Sequence, residues 1–78
     1  MSVYDELRDI VAAKLSIDPA TIKPESAFVE DLNADSLDLA DLVMAIEDKY
    51  SLTFSDSDTE NFRTVGDVVK VIEEKQRS

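Results

Sequence analysis

Apolar residues return every three or four positions at Val3, Leu7, Ile10, Val11 and Leu15, which places them on one face of a helix over 3–15. Ser2 can cap that helix, with Asp5 three residues on to reach back to the cap. Asp18-Pro19 marks the end of the helical stretch, because a residue before proline avoids the helical region. From Ser16 to Ala34 no period persists. Pro19 and Pro24 punctuate a long loop whose apolar anchors are Ile17, Ile22, Phe28, Val29 and Leu32, and these predict that it packs over the core. Asp35 to Tyr50 is the clearest helix, with Asp35 as N-cap and Asp38 at the third helical position. Ser51 to Phe62 is a polar connector with one short helix starting near Ser55 or Asp56. The last segment, 65–75, carries Val65, Val68, Val69, Val71 and Ile72. Its β-branched run "VVKVI" would suit an edge strand. Helix is predicted instead, since Thr64-x-x-Asp67 is a capping pair and the chain offers no partner strand.

On a helical wheel at about 100° per residue, Leu39, Leu42, Val43, Ile46 and Tyr50 share the core-facing side of the 35–50 helix. Leu37, Asp41, Met44 and Asp48 fall on the opposite side, flanked by Asp38, Ala45 and Glu47. Two apolar knobs, Leu37 and Met44, thus stand within a ring of carboxylates. Such a face can be ordinary solvated surface. It can also be a docking surface, on which carboxylates steer a basic partner and the knobs fill small apolar pockets.

Composition narrows the chemistry. The 78 residues make one small domain, 1–78, with 44% hydrophobic residues, enough for a thin core. Cysteine and histidine are both absent, which removes disulfides, thiolate metal sites, the cysteine nucleophile and the commonest general base. Eighteen acidic residues against eight basic ones give a net charge of −10. Nucleic acid and anionic membranes are poor partners for such a chain, and a basic protein surface is the natural one. No basic and apolar leader is visible at "MSVYDELRDIV", and no apolar run approaches the ~20 residues that span a bilayer. The expected address is the cytoplasm.

Ser36 heads the acidic helix. As a catalytic nucleophile it lacks an adjacent base. As a capping residue it is redundant beside Asp35. As an acceptor for covalent modification it fits, because a phosphodiester on its oxygen would lie at a helix N-terminus that favours an anion. The nearby carboxylates oppose that anion, so the modifying enzyme must supply positive charge. Asp31-x-Asn33-x-Asp35 mimics the start of a calcium loop, but Ser36 stands where glycine is needed and Leu42 where glutamate is needed. No metal site is expected, beyond weak divalent binding by the carboxylates.

"FVEDLNADSLDLADLVMAIEDKY", Phe28 to Tyr50, closely resembles the heart of bacterial acyl carrier proteins of dissociated fatty acid synthesis. Asp35-Ser36-Leu37 matches the family's modification motif, and its setting makes the match specific: "FVEDL" upstream, "DLVMA" downstream, the length and a pI near 4.1. The resemblance implies an all-α fold, a four-helix bundle of three longer helices and one short third helix, with the long loop between helices 1 and 2. It implies 4′-phosphopantetheine on Ser36, flanked by Asp35 and Leu37, transferred from coenzyme A by a separate synthase. Acyl groups would ride on its terminal thiol, and the chain itself would be a carrier, not an enzyme. Asp35, Leu37, Asp38, Asp41, Met44, Glu47 and Asp48 match the family's partner-recognition positions. Phe28, Val29, Leu32, Leu42, Val43, Ile46, Phe54, Phe62, Val68 and Ile72 correspond to the lining of the acyl cavity, or read as plain core. The implied partners are holo-acyl-carrier-protein synthase, malonyl and acyl transferases, ketoacyl synthases, ketoacyl and enoyl reductases and dehydratase, met by a monomer that inserts in no membrane.

The chain departs from the family at Asn33, where glycine is usual. Asparagine is the next most tolerant residue for a left-handed turn. Phe54 and Phe62 are bulky enough to narrow the cavity. Gly66, the only glycine, falls in the first turn of the last helix, where it costs little. Two other functions stay open: a carrier for polyketide or another specialised acyl pathway, and a non-covalent acidic adaptor or weak calcium-binding module.

Overall fold

In the computed structural model, which describes residues 2–77, four α-helices follow one another with no strand among the described residues: α1 (Val3–Leu15), α2 (Ser36–Tyr50), α3 (Asp56–Glu60) and α4 (Val65–Arg77). This is the all-α bundle with three longer helices and a short third one. Each helix starts on a side-chain cap. Ser2 accepts the Asp5 N–H and donates its hydroxyl to the Asp5 carboxylate, and that hydroxyl holds the Asp5 carboxyl below the usual range. Asp35 with Asp38, Ser55 with Asp58, and Thr64 with Asp67 each exchange reciprocal bonds between side chain and backbone. Such boxes satisfy donors that a helix start leaves unpaired.

The helix ends fall where the apolar pattern puts them, at Leu15 and Tyr50, but the caps that close them were not legible. Both α1 and α2 close on a serine in the left-handed region, Ser16 at φ 57° and Ser51 at φ 54°. The next N–H then bonds back, Ile17 to the Ala12 carbonyl and Leu52 to the Glu47 carbonyl, each at 3.0 Å. Glycine usually fills that position, so the sequence signal was missing. Asn33 takes φ 57°, the left-handed turn expected of it.

The three longer helices bury one apolar stripe each. Leu7 and Val11 of α1, Leu42 and Ile46 of α2, and Val65, Val68 and Ile72 of α4 are all buried. At about 1.5–3 kcal/mol per fully buried side chain, this stripe is the main source of stability. The β-branched run of α4 is helical because its buried members recur at offsets of three and four, and α1 lies against both α2 and α4.

The loop between α1 and α2 is more ordered than its sequence predicts. Pro19–Thr21 forms a turn of 3-10 helix, and Asp18 caps it through the Ala20 N–H at 2.9 Å. Asp18-Pro19 therefore starts an element, with proline at its favoured first position. Ile22 and Phe28 plug the core, with Phe28 1% exposed, while Ile17 and Leu32 pack at its edge. Val29 points outward, 57% exposed. The reason is local: the Ala27 carbonyl accepts both the Asp31 and Leu32 N–H groups, and in so tight a turn the residue after an inward Phe28 faces away.

This loop is tied to the head of α4. The Phe28 N–H bonds to the Arg63 carbonyl, the Val65 N–H to the Ser26 carbonyl, and the Gly66 N–H to the Pro24 carbonyl at 2.8 Å. A Cβ at Gly66 would lie 3.0 Å from that same Pro24 oxygen. Glycine is placed there by close backbone approach, which single-chain patterning does not reveal.

Candidate functional site

Ser36 is the first residue of α2 and is exposed. Its hydroxyl makes no hydrogen bond among the described residues. Asp35 accepts the Asp38 N–H at 2.9 Å, and Asp38 accepts the Asp35 N–H at 3.2 Å. The capping work is therefore done by the neighbours, and Ser36 is left with a free oxygen at the head of a fifteen-residue helix. The N–H groups of Ser36 and Leu37 have no partner among the described residues. They can receive the oxygens of a phosphodiester, with the helix dipole behind them.

Further along α2 lies an apolar cavity of about 340 Å³. Leu39 and Ala40 form part of its wall. They stand three and four residues after Ser36, which on a helix means about 5–6 Å between Cβ atoms. That part of the wall is thus one helical turn from the serine. Phe28, Leu42, Val43, Ile46, Phe62 and Val68 also line the cavity, together with Met44 and Thr59. Of the other residues read as cavity lining, Phe54 lies behind the wall, its ring edge-on to Phe62 at 5.0 Å between centroids. Ile72 is buried deeper, Leu32 packs at the edge of the core, and Val29 is in solvent. Only one phenylalanine of the Phe54–Phe62 pair narrows the space. Leu39, Ala40, Met44 and Thr59 were not read as lining. The spacing of Leu39 and Ala40 from Ser36 was the available signal.

The outer face of α2 carries Leu37, 80% exposed, and Met44, 64% exposed. Asp35, Asp41 and Asp48 are exposed around them. Three of the carboxylates have second jobs. Asp35 and Asp38 hold the cap, and Glu47 accepts the Phe54 N–H at 2.8 Å, fastening the connector that leads to α3. Asp41 faces Lys14 of α1 at 3.4 Å. Asp31, in the calcium-like run, accepts the Ala27 N–H at 2.8 Å. With Asp31 and Asp35 both committed to backbone donors, the run is a turn and a cap, and no metal-holding cluster occurs among the described residues.

Further from the serine, two contacts brace the bundle. Tyr50 donates its hydroxyl to Glu6 at 2.8 Å across α1 and α2. Burial first, and that carboxylate second, push the phenol well above its usual range. Lys75 of α4 reaches Asp58 of α3 at 3.1 Å. The Ser55 N–H first, then Lys75, hold the Asp58 carboxyl below the usual range.

The sequence matches the family described as "Phosphopantetheine attachment site" over residues 5–72. It is 47% identical over 76 residues to the acyl carrier protein of Chlamydia trachomatis serovar D, covering 97% of this chain and 99% of that one. It is 47% identical over 73 residues to the acyl carrier protein of Wolinella succinogenes, covering 94% and 96%. The solved structure of a Mycobacterium tuberculosis chain assigned to the acyl carrier proteins is similar at a TM-score of 0.87, with 29% identity, covering 92% of this chain and 96% of that one.

Proposed function

The chain belongs to the acyl carrier proteins, the family with a phosphopantetheine attachment site, and from that membership we propose that Ser36 is its point of attachment. It is a carrier and not an enzyme, its group is 4′-phosphopantetheine, and its usual setting is fatty acid synthesis. The observation that carries the assignment is the exposed Ser36 hydroxyl, relieved of capping by Asp35 and Asp38, one turn from an apolar cavity. The prosthetic group supplies a flexible arm whose terminal thiol holds acyl groups as thioesters.

The residues of the chain do the rest. Ser36 offers the oxygen that is esterified. The unpaired N–H groups at the head of α2 favour the phosphate, while the surrounding carboxylates make the unassisted reaction slow and leave activation to a basic modifying enzyme. The cavity bounded by Leu42, Val43, Ile46, Phe62 and Val68 shelters an alkyl chain, with about 0.8 kcal/mol gained per buried CH₂. Leu37, Met44, Asp41 and Asp48 form the face that enzymes grip, including the holo-synthase, malonyl transferase, ketoacyl synthase, reductases and dehydratase. Residues 1–78 act as one carrier domain, and the cytoplasmic address rests on the family resemblance.

Two experiments test this reading. The protein is first modified with coenzyme A and a phosphopantetheinyl transferase, then given malonyl-coenzyme A and a malonyl transferase. A malonyl mass increment that hydroxylamine removes is expected; an arm that accepts no acyl group contradicts the carrier role. Met44→Glu should slow modification severalfold by increasing KM, with an unchanged helical circular dichroism spectrum, because the side chain is exposed. A wild-type rate would remove Met44 from the docking face.

A further inference from the structure

Lys14 belongs to α1, yet its ammonium lies 3.4 Å from the carboxylate of Asp41 on α2, and both side chains are exposed. A shallow concavity joins them: Lys14 forms one wall, and Asp41, Met44, Ala45 and Asp48 form the rest. Lys14 thus stands inside the acidic docking face, where the sequence pattern of α2 alone has no cation. We propose that Lys14 is a built-in competitor for the basic side chains of partner enzymes, occupying Asp41 in the free protein and so setting which partners bind tightly.

The physical case is one of charge. The docking face attracts a basic surface through Asp35, Asp41 and Asp48, and an arriving arginine or lysine must pair with at least one of them. Where Asp41 already holds Lys14, the newcomer either displaces that ammonium or approaches it at like-charge cost. A partner whose charge falls on Asp35 alone, at the head of α2, avoids this cost, whereas the synthase, which the docking reading sets against Asp41 and Met44 as well as Ser36, does not. A partner that grips the middle of the helix meets it in full. Lys14 therefore discriminates between basic partners by where their charge falls, without touching Ser36 or the cavity. Because the pair is exposed, its effect is modest and salt-dependent. This inference rests on the docking reading of α2.

The probe is a bacterial holo-acyl-carrier-protein synthase with coenzyme A, followed by steady-state modification of Ser36 at low salt. Lys14→Gln should lower KM by about two- to fivefold, with kcat unchanged, and the gain should vanish at about 1 M salt, where the Debye length is about 3 Å. Lys14→Arg keeps the pair and should behave as wild type. Asp41→Asn should raise KM, and adding Lys14→Gln to it should bring no gain. Lys70→Gln on α4 removes the same charge from another exposed site and should bring a clearly smaller gain than Lys14→Gln. An unchanged or raised KM in Lys14→Gln, alongside a raised KM in Asp41→Asn, overturns the competitor role and leaves docking intact. So does an equal gain from Lys70→Gln, which would make the effect one of net charge. If neither Asp41→Asn nor Met44→Glu alters KM, the docking reading falls and takes the competitor role with it.

Discussion

A single hydroxyl is useful here because its neighbours relieve it. Asp35 and Asp38 satisfy each other's backbone donors, so Ser36 takes no part in holding the helix, and its replacement costs the fold little. The same logic in reverse governs Tyr50. Its phenol is committed to Glu6, and its pKa in the folded chain is raised. A raised value means that the folded state keeps a proton the unfolded state releases. The resulting stability is fully present below the unfolded value near 10 and is lost as pH rises above it. Tyr50→Phe should cost about 1 kcal/mol at neutral pH. Between about pH 9 and 11 it should also lose less stability than the parent, in chemical denaturation followed by circular dichroism. Parallel losses in the two proteins would show that Tyr50 does not set the alkaline limit.

At the scale of elements, α2 was legible almost to the residue because a strong apolar period and an Asp cap point the same way. The same agreement holds for α1 and for the capping pair that begins α4. What was hidden depends on contacts that a periodic apolar pattern does not encode. Val29 was read with the apolar anchors of the loop, yet the hydrogen bonds onto Ala27 turn it outward. Glu47 was read as part of a docking ring, and its bond to Phe54 became visible only once the connector was placed. Gly66 was read as incidental, but the backbone of Pro24 sits against it. Gly66→Ala should therefore fail to give the ~1 kcal/mol that alanine brings to a helix. Moving the Pro24 carbonyl strains the 2.8 Å bond it accepts from Gly66, and a net loss of about 1 kcal/mol is expected. That loss would be read as a Tm decrease of about 4–8 °C. A Tm increase would show that the loop yields freely at this point.

For the whole molecule, charge and core pull against each other. A net charge of −10 on 78 residues repels itself, and the thin core has little to spare. Raising ionic strength from about 0.01 to 0.15 M shortens the Debye length from about 30 to 8 Å, so Tm should rise across that range, and Mg²⁺ should raise it further. A Tm indifferent to both would mean that the acidic surface costs the fold nothing. Composition made this balance legible from the start, and the Phe28-to-Tyr50 stretch singled out Ser36 as the residue proposed for attachment. The cavity was only half so. Its inner wall coincides with ordinary core positions, and a helical wheel does not separate a packed core from one with about 340 Å³ of unfilled space.

The most direct measurement is the intact mass of the wild-type protein and of Ser36→Ala after incubation with coenzyme A and a phosphopantetheinyl transferase. One phosphopantetheine on the wild type and none on the variant is the predicted pair of spectra. An unmodified wild type, or a variant that still gains the group, would contradict the assignment of Ser36 as the tether.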